Sequence, residues 1–246
     1  MSDGQKIMLL TGASRGIGHA TVKVFQERGW RILTVSRQPF SDDCRWPSAR
    51  DSHIQADLGD LENLNHLFRQ VREKLPDGKL HALVNNAGIS PKGNNSSRLG
   101  VFATDATTWT HVLNVNLVSI ALLARELISE LEGAQGTIVN VTSIAGSRVH
   151  PFAGVAYAAS KAGLATLTRE LAHEFGARGV RSNAIAPGEI ETAILSPGTD
   201  KLVAAEVPMK RLGDPAEVAE TIYFLCSNAA SYINGAEIHI NGGQHV

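Results

Sequence analysis

Short apolar runs alternate with longer amphipathic segments along the chain. Seven runs have the length and composition of buried strands: KIMLL, RILTV, HIQA, LHALVNN, GTIVNVT, VRSNAIA and AEIHI. Patterns of helical period lie between them, at 19–29, at 61–75, over about 25 residues from Thr107 onward, and around YAASK (157–161). Because β-α-β repeats with apolar strands form parallel sheets covered on both faces, the pattern predicts a doubly wound α/β fold with a seven-stranded parallel sheet.

Residue types at two helix ends support this interpretation. Gly29 follows the first helical pattern, at a place where glycine commonly ends a helix. Asp214, Pro215 and Glu217 suit the N-cap, N1 and N3 positions of the last helix. No linker, internal repeat or low-complexity segment interrupts the pattern, so residues 1–246 are expected to form one domain.

Two loops depart from the alternation. The segment 38–52 stands where a helix should join the second and third strands, and Pro39 and Pro47 disfavour a full helix there. The segment 90–100 is polar, contains glycine and is expected to be mobile. Both follow strand ends, where ligands bind in open α/β sheets, and both are expected at the surface.

Composition and charge argue against several classes of protein. Hydrophobic residues make up 43% of the chain and charged residues 19%, which provides for a sizeable core. A net charge of -1 disfavours a nucleic-acid or anionic-membrane partner. Cys44 and Cys226 show neither metal-ligand spacing nor a disulfide framework. The N-terminus lacks a signal-peptide pattern, and no apolar run reaches the roughly 18 residues of a membrane span. A soluble, cytoplasmic protein is therefore expected.

The stretch TGASRGIG (11–18) joins the first strand to the first helix. Its glycines, Gly12, Gly16 and Gly18, permit a tight turn and a close approach of the backbone to a ligand. The helix N-terminus beyond them offers unpaired N–H groups to a phosphate. No G-K-[ST] follows, which excludes a mononucleotide P-loop. A glycine-rich turn without a ligand is the alternative, which the position directly after the first strand disfavours. The stretch predicts a dinucleotide-binding Rossmann fold.

The same letters contain GASRG, which matches the G-x-S-x-G elbow of serine hydrolases at Ser14. Such an elbow normally follows a mid-chain strand, and an HGGG-type segment supplies the oxyanion hole. Only one strand precedes Ser14 and no such segment is present, so a hydrolase is the weaker hypothesis.

The end of the second strand bears on the choice of cofactor. An Asp or Glu there would bind the adenosine ribose, whereas this chain has Ser36 and Arg37. A guanidinium can bind a 2′-phosphate in a bidentate manner, and Arg15 in the glycine stretch can reach the same group. Two solvated surface arginines are the alternative. The pattern favours NADP(H) over NAD(H).

Tyr157 and Lys161 are spaced four residues apart and share one face of a helix. A free phenol has a pKa of about 10, and a nearby cation is expected to lower it toward the working range. The small residues between them leave room for a flat cofactor ring. An isolated pair with this spacing is more often an ordinary surface pair, so the interpretation depends on its context.

That context is a series of motifs in order along nearly the whole chain. They are TGASRGIG, ADL (56–58), NNAG (85–88), VNL (115–117), VTSIAG (141–146), YAASK, APGEIET (186–192) and INGAEIHINGG. On these motifs the chain resembles the short-chain dehydrogenase/reductase family, in its ordinary single-domain branch. Within the family it is similar to 3-oxoacyl-acyl-carrier-protein reductases.

The resemblance implies a role for each of four catalytic residues. Tyr157 would be the general acid in carbonyl reduction and the base in the reverse reaction, and Lys161 would lower its pKa and bind the nicotinamide ribose. Ser143 would hydrogen-bond the substrate oxygen. Asn116 would hold a water that links Lys161 to solvent. Singly, Ser143 and Asn116 could also be ordinary turn or helix residues.

The resemblance also assigns the cofactor contacts. Asp57 and Leu58 would lie against the adenine, the stretch 86–88 along the ribose side, and residues from Pro187 to Thr192 at the nicotinamide end. The full set of expected cofactor-binding residues is Gly12, Ser14, Arg15, Gly16, Ile17, Gly18, Ser36, Arg37, Asp57, Leu58, Asn86, Ala87, Gly88, Tyr157, Lys161, Pro187, Gly188, Ile190 and Thr192.

The chemistry of hydride transfer agrees with these roles. Negative charge grows on the carbonyl oxygen, and a phenol and a hydroxyl aimed there stabilise it while one supplies the proton. No metal is required, and the nine histidines show no paired ligand spacing. The expected function is an NADP(H)-dependent oxidoreductase interconverting a carbonyl and a secondary alcohol, possibly a 3-oxoacyl-acyl-carrier-protein reductase. The alternatives are a small-molecule alcohol, sugar or steroid-type dehydrogenase, or a catalytically silent NADP sensor.

Departures from the family pattern concern the substrate side. Ser143 and Tyr157 are fourteen residues apart, where the family more commonly shows thirteen, and Thr142 is a weak alternative to Ser143. Glu189 adds an acidic group, expected near the cleft entrance.

The segment 188–214 is expected to be a mobile lid. Gly188, Gly198 and Gly213 punctuate it, and it follows the sixth strand where cofactor and substrate meet. Its apolar residues are expected to face the substrate, namely Ile194, Leu195, Leu202 and Val203. The apolar outer side of the helix 157–175 predicts packing on a second copy, and the resemblance implies a homotetramer.

Overall fold

The computed structural model describes residues 5–40, 47–193 and 195–246; Cys44 and Ile194 lie outside these ranges. The strands are β1 (Ile7–Thr11), β2 (Arg31–Ser36), β3 (His53–Gln55), β4 (Ala82–Asn85), β5 (Thr137–Val141), β6 (Arg181–Pro187) and β7 (Glu237–Ile240). All pair in parallel, in the order β3-β2-β1-β4-β5-β6-β7. The predicted doubly wound, seven-stranded sheet is confirmed.

Helices cover both faces of this sheet. They are α1 (Gly16–Glu27), α2 (Leu64–Glu73), α3 (Ala106–Leu113), α4 (Ser119–Glu126), α5 (Ile128–Gly133), α6 (Val155–Gly176), α7 (Thr199–Glu206) and α8 (Pro215–Cys226). The predicted stop at Gly29 is found, with φ of +77°. Asp214 and Glu217 form the predicted capping box, and Pro215 opens α8. In the described part of 38–52 the only helix is a 3-10 turn, Pro47–Ser52.

Strand alternation divides the core into two apolar clusters. Leu9 of β1 belongs to the cluster with α2, α4 and α6, whereas Met8 and Leu10 belong to the cluster with α1 and α8. Successive side chains of a strand point to opposite faces, so one apolar strand supplies both clusters. The packing rigidly fixes the carboxyl ends of the strands. The order reverses between β1 and β4, the point where open α/β sheets bind ligands.

The helix expected from Thr107 onward is less regular than its pattern indicates. It begins at Ala106, contains a π-helical turn at Asn114–Val118, and breaks at Leu127 before α5. The run Ala106–Glu126 is long and apolar enough to cross a membrane, with a mean hydropathy of 1.2 over an 18-residue stretch of which 33% is buried. Core helices of soluble proteins can have the same length and composition, and α3 packs against α6.

Candidate active site

A cleft of about 570 Å³ opens at the carboxyl ends of β1, β4, β5 and β6. The glycine loop after β1 forms one end, and the loops after β4, β5 and β6 form the other. Every expected site residue lines this cleft except Gly18 and Asn116. The structure therefore brings together in one cavity residues that span most of the sequence.

The glycine loop is held in shape by the first residues after β4. Gly12 and Gly16 have φ of +73° and +55°, which favours glycine. A Cβ on Gly18 would lie 2.1 Å from the Gly12 carbonyl oxygen, so that position admits no side chain. Asn86 Nδ2 donates to the carbonyl oxygens of Thr11 and Gly12, at 3.1 and 2.8 Å. Gly18 and Asn86 thus shape the glycine loop.

The adenosine end of the cleft is basic. Arg15 and Arg37 are exposed at its wall, and neither guanidinium forms an ion pair within the part of the chain that the structure describes. Ser36 Oγ donates to the Gln38 carbonyl at 2.9 Å. Asp57 follows β3, and one of its carboxylate oxygens accepts a hydrogen bond from Gly59 N at 2.8 Å. Among the described residues, none of those that directly follow β2 (37–40) carries a carboxylate, so a 2′-phosphate would meet no anion from them.

Lys161 is buried beneath the cleft floor with 3% of its surface exposed. Its Nζ donates to the Val141 carbonyl at 2.7 Å and lies 5.8 Å from the centre of the Tyr157 ring. Burial lowers the pKa of Lys161 to about 8. The helical spacing of Tyr157 and Lys161 thus places them together, as expected.

The expected lowering of the pKa of Tyr157 by Lys161 is not found. Burial raises the pKa of Tyr157 and Glu189 adds to this, while a hydrogen bond with Ser143 opposes it. The ammonium is directed at the Val141 carbonyl, and desolvation is the largest influence on the pKa of the phenol. The phenol is therefore held in its protonated form, the form that a general acid requires.

Ser143 lies beside Tyr157 at the start of a 3-10 turn, Ile144–Gly146, where its Oγ accepts from Ala145 N at 3.2 Å. Thr142 is committed elsewhere. Its Oγ1 lies 2.8 Å from the Ile185 carbonyl and 2.6 Å from Glu237 Oε1, on the side of β6 and β7. Of the two hydroxyl residues, Ser143 is the one that hydrogen-bonds Tyr157.

Asn116 is fully buried in the π-helical turn. Its side chain accepts from Ile89 N at 2.9 Å and donates to Ile89 O and to Ser160 Oγ, both at 3.0 Å. Ser160 in turn donates to the Tyr157 carbonyl at 2.7 Å. Asn116 thus fixes the loop after β4 against α6. The extra residue of the π turn, which carries no sequence signal, aims this side chain.

Three ionisable side chains at the substrate end differ from the sequence-based expectation. Glu189 was expected at the entrance, yet its side chain is 7% exposed and lies 2.5 Å from His150 Nε2. Lys92 donates to the Phe152 carbonyl on the same wall. Neither Lys92 nor His150 was identified from the sequence. Only their positions could have indicated them in the sequence, since each lies in a polar loop after a strand.

The expected lid is fastened at its base. A bridge joins Ile190 to Gly213, with Gly213 N donating to the Glu189 carbonyl at 2.9 Å. The expectation that Leu202 and Val203 face the substrate is wrong, because both are buried on the inner side of α7 and do not line the cleft. Beyond Ala193, the described residues of this segment that line the cleft are Leu195, Ser196 and Thr199.

Comparison with known proteins agrees with this geometry. Residues 12–245 match the family model described as enoyl-(acyl carrier protein) reductase. The chain is 57% identical to protein FixR of Bradyrhizobium diazoefficiens over 242 residues, which cover 98% of this chain and 87% of that protein. It is 34% identical to the 3-oxoacyl-acyl-carrier-protein reductase FabG of Vibrio cholerae over 248 residues, 98% of each chain.

A solved structure is similar as well. It is an oxidoreductase of the short-chain dehydrogenase/reductase family from Brucella ovis, in complex with a partially ordered NAD. The TM-score is 0.85 and the identity 54%, covering 96% of this chain and 100% of that one.

Fold and site together define a nicotinamide-dinucleotide-dependent oxidoreductase acting on CH–OH or carbonyl groups. The chain belongs to the short-chain dehydrogenase/reductase family. The family resemblance and the enzyme class expected from the sequence are both confirmed.

Proposed function

We propose that the protein is an NADP(H)-dependent oxidoreductase that interconverts a carbonyl and a secondary alcohol. The observation that carries the proposal is the placement of Ser143, Tyr157 and Lys161 in the same cleft as the glycine loop. Tyr157 donates the proton to the developing alkoxide in reduction and accepts it in the reverse direction. Ser143 stabilises the same oxygen, and Lys161 binds the nicotinamide ribose when the cofactor is present.

The cofactor supplies or accepts the hydride, and the chain positions it. Gly12, Gly16 and the N-terminus of α1 suit a pyrophosphate, while residues 187–192 bound the nicotinamide end. Asn116 keeps the loop after β4 in place, and we assign it the further role of anchoring a water between Lys161 and solvent.

The preference for NADP(H) rests on Arg15, Ser36 and Arg37. NAD is the cofactor named for the Brucella ovis structure, so the preference needs a direct test. Arg37→Asp should shift the ratio of NADPH to NADH affinity toward NADH by about 2–5 kcal/mol, the usual effect of losing a desolvated charge-assisted contact. Arg69→Asp on exposed α2 is the matched control. Equal affinities for both cofactors in the unmutated protein would contradict the preference.

Two classes of substrate are candidates for this site. FabG of Vibrio cholerae is named for 3-oxoacyl-acyl-carrier-protein substrates, which makes an acyl-thioester the first candidate. The second, a small polar alcohol or carbonyl compound, is favoured by the charged Lys92 and Glu189 at the substrate end. NADPH oxidation measured across ketones, β-ketoesters, sugars and acyl-thioesters separates the two. Tight cofactor binding without turnover of any of them would favour a catalytically silent NADP sensor.

We further propose a homotetramer located in the cytoplasm. Ala159 and Ala162 are exposed on the outer side of α6, and the neighbouring run Ala106–Glu126 is apolar, with only 33% of an 18-residue stretch of it buried. Small and apolar residues on adjacent helices form a surface that a second copy would cover. Light scattering should give four times the monomer mass of 26.2 kDa. A monomer at all concentrations would contradict the assembly.

A further inference from the structure

Three ionisable side chains meet at the substrate end of the cleft, beyond Ser143 and Tyr157. Lys92 comes from the loop after β4, His150 from the loop after β5, and Glu189 from the turn after β6. Hydride and proton transfer use none of them. Charged groups are rarely buried without a partner or a ligand, so this cluster requires an explanation.

Hydrogen bonds to both ring nitrogens of His150 indicate its tautomer. Phe152 N donates to His150 Nδ1 at 3.3 Å, so Nδ1 is the unprotonated nitrogen and Nε2 carries the proton. Nε2 then donates to Glu189 Oε1 at 2.5 Å. His150 and Glu189 are therefore paired with each other, and one Glu189 oxygen is already bound.

Lys92 is the cation of the cluster. It is half-buried, and one of its N–H groups donates to the Phe152 carbonyl. Burial lowers the pKa of Lys92, and Glu189 only partly opposes this. Nearby Lys161 is a second buried ammonium. This end of the cleft thus holds two lysine side chains and one glutamate, and the glutamate is already bound to His150.

The loop that bears Lys92 is fixed in place before any ligand arrives. Arg98 Nε donates to the Ala153 carbonyl at 2.8 Å, and Val155 N donates to the Leu99 carbonyl at 3.0 Å. Together with the bond from Lys92 to Phe152, these contacts join the 90–100 loop to the segment before α6. A cation on such a rigid wall binds an anion with little ordering cost.

We infer that the substrate of this site carries a carboxylate and that Lys92 binds it. The inference rests on the proposed function and deepens it, since the bound oxo acid or hydroxy acid would present its carbonyl or alcohol to Ser143 and Tyr157. A carboxylate would give Lys92 an anionic partner, since Glu189 is already bound to His150. An alkyl chain in the same place would desolvate the half-buried Lys92 further without supplying such a partner, which is unfavourable.

The test compares acids with their neutral esters. The probes are acetoacetate and levulinate, each beside its methyl ester, in NADPH oxidation and in calorimetric binding to the protein saturated with NADP⁺. We expect the acids to be preferred by about 10- to 100-fold, as for a hydrogen bond to a charged group. Lys92→Met should remove this preference by raising the KM of the acids toward that of their esters. Lys92→Arg, which keeps the charge, should retain much of it.

Lys201→Met is the matched control, since Lys201 is an exposed lysine of α7 outside the cleft, and it should leave the preference unchanged. Absence of carboxylate binding, or an acid preference that survives Lys92→Met, would overturn the inference whatever the turnover shows. Binding of the acids that depends on Lys92, without NADPH oxidation by any probe, would support the carboxylate site and count against the proposed reaction.

Discussion

Lys161 should give the protein an unusual gain in stability at alkaline pH. Burial lowers its pKa in the folded state from 10.5 to about 8. Between these values the unfolded chain binds the proton and the folded chain does not, so the free energy of unfolding rises with pH. One pKa unit corresponds to about 1.4 kcal/mol, and the whole difference therefore amounts to about 3 kcal/mol. Below the folded pKa of about 8 the charged, buried ammonium destabilises the fold by this amount.

The assay is urea unfolding of the cofactor-free protein from neutral pH to above 10.5, at one protein concentration, with Lys161→Met beside the unmutated chain. The difference between their unfolding free energies should change by about 3 kcal/mol in favour of the unmutated chain as the pH rises. Tyr157 and Cys226, whose pKa values burial raises, titrate in both proteins and cancel in the comparison. Lys201→Met, at an exposed site, should follow the unmutated chain. Parallel curves for the unmutated chain and Lys161→Met would refute a buried, charged Lys161.

Three further predictions concern catalysis, the glycine loop and the lid. Tyr157→Phe should reduce turnover by about 10²- to 10⁴-fold with NADPH affinity nearly unchanged; retention of more than about a hundredth of the rate would contradict general acid catalysis. Gly18→Ala should weaken NADPH binding at least about 100-fold, because its Cβ would lie 2.1 Å from the Gly12 carbonyl oxygen. The control Gly133→Ala meets nothing closer than 3.8 Å and should bind normally. Hydrogen exchange of 189–210 should slow when NADP(H) binds, and unchanged exchange there beside a protected glycine loop would exclude a gate.

Much of the fold and of the cofactor end could be predicted from the sequence because each signal is local. Apolar strands of parallel sheets are continuous runs, and β1 is buried at every position. Gly12 and Gly16 are required by backbone conformation, and Tyr157 and Lys161 share a helical face whatever surrounds them. Such features need only neighbouring residues, so their spacing along the chain is sufficient to identify them.

The rest of the site depends on contacts between distant segments, and sequence patterns are silent on these. The π turn directs Asn116 toward Ile89 and so determines where the loop after β4 lies. The hydrophobic pattern of the sequence does not reveal this turn, because it is the pattern of one continuous helix. Desolvation reverses the expected direction of the pKa of Tyr157, because burial is a property of the whole fold. Glu189 and His150 are 39 residues apart, and only the parallel pairing of β5 with β6 brings their loops together.

The family's shared chemistry is thus carried by local motifs, whereas the charges that would select a substrate arise from three separate loops. Substrate preference can therefore change by replacing Lys92, which lies outside every motif that marks the chain as an oxidoreductase.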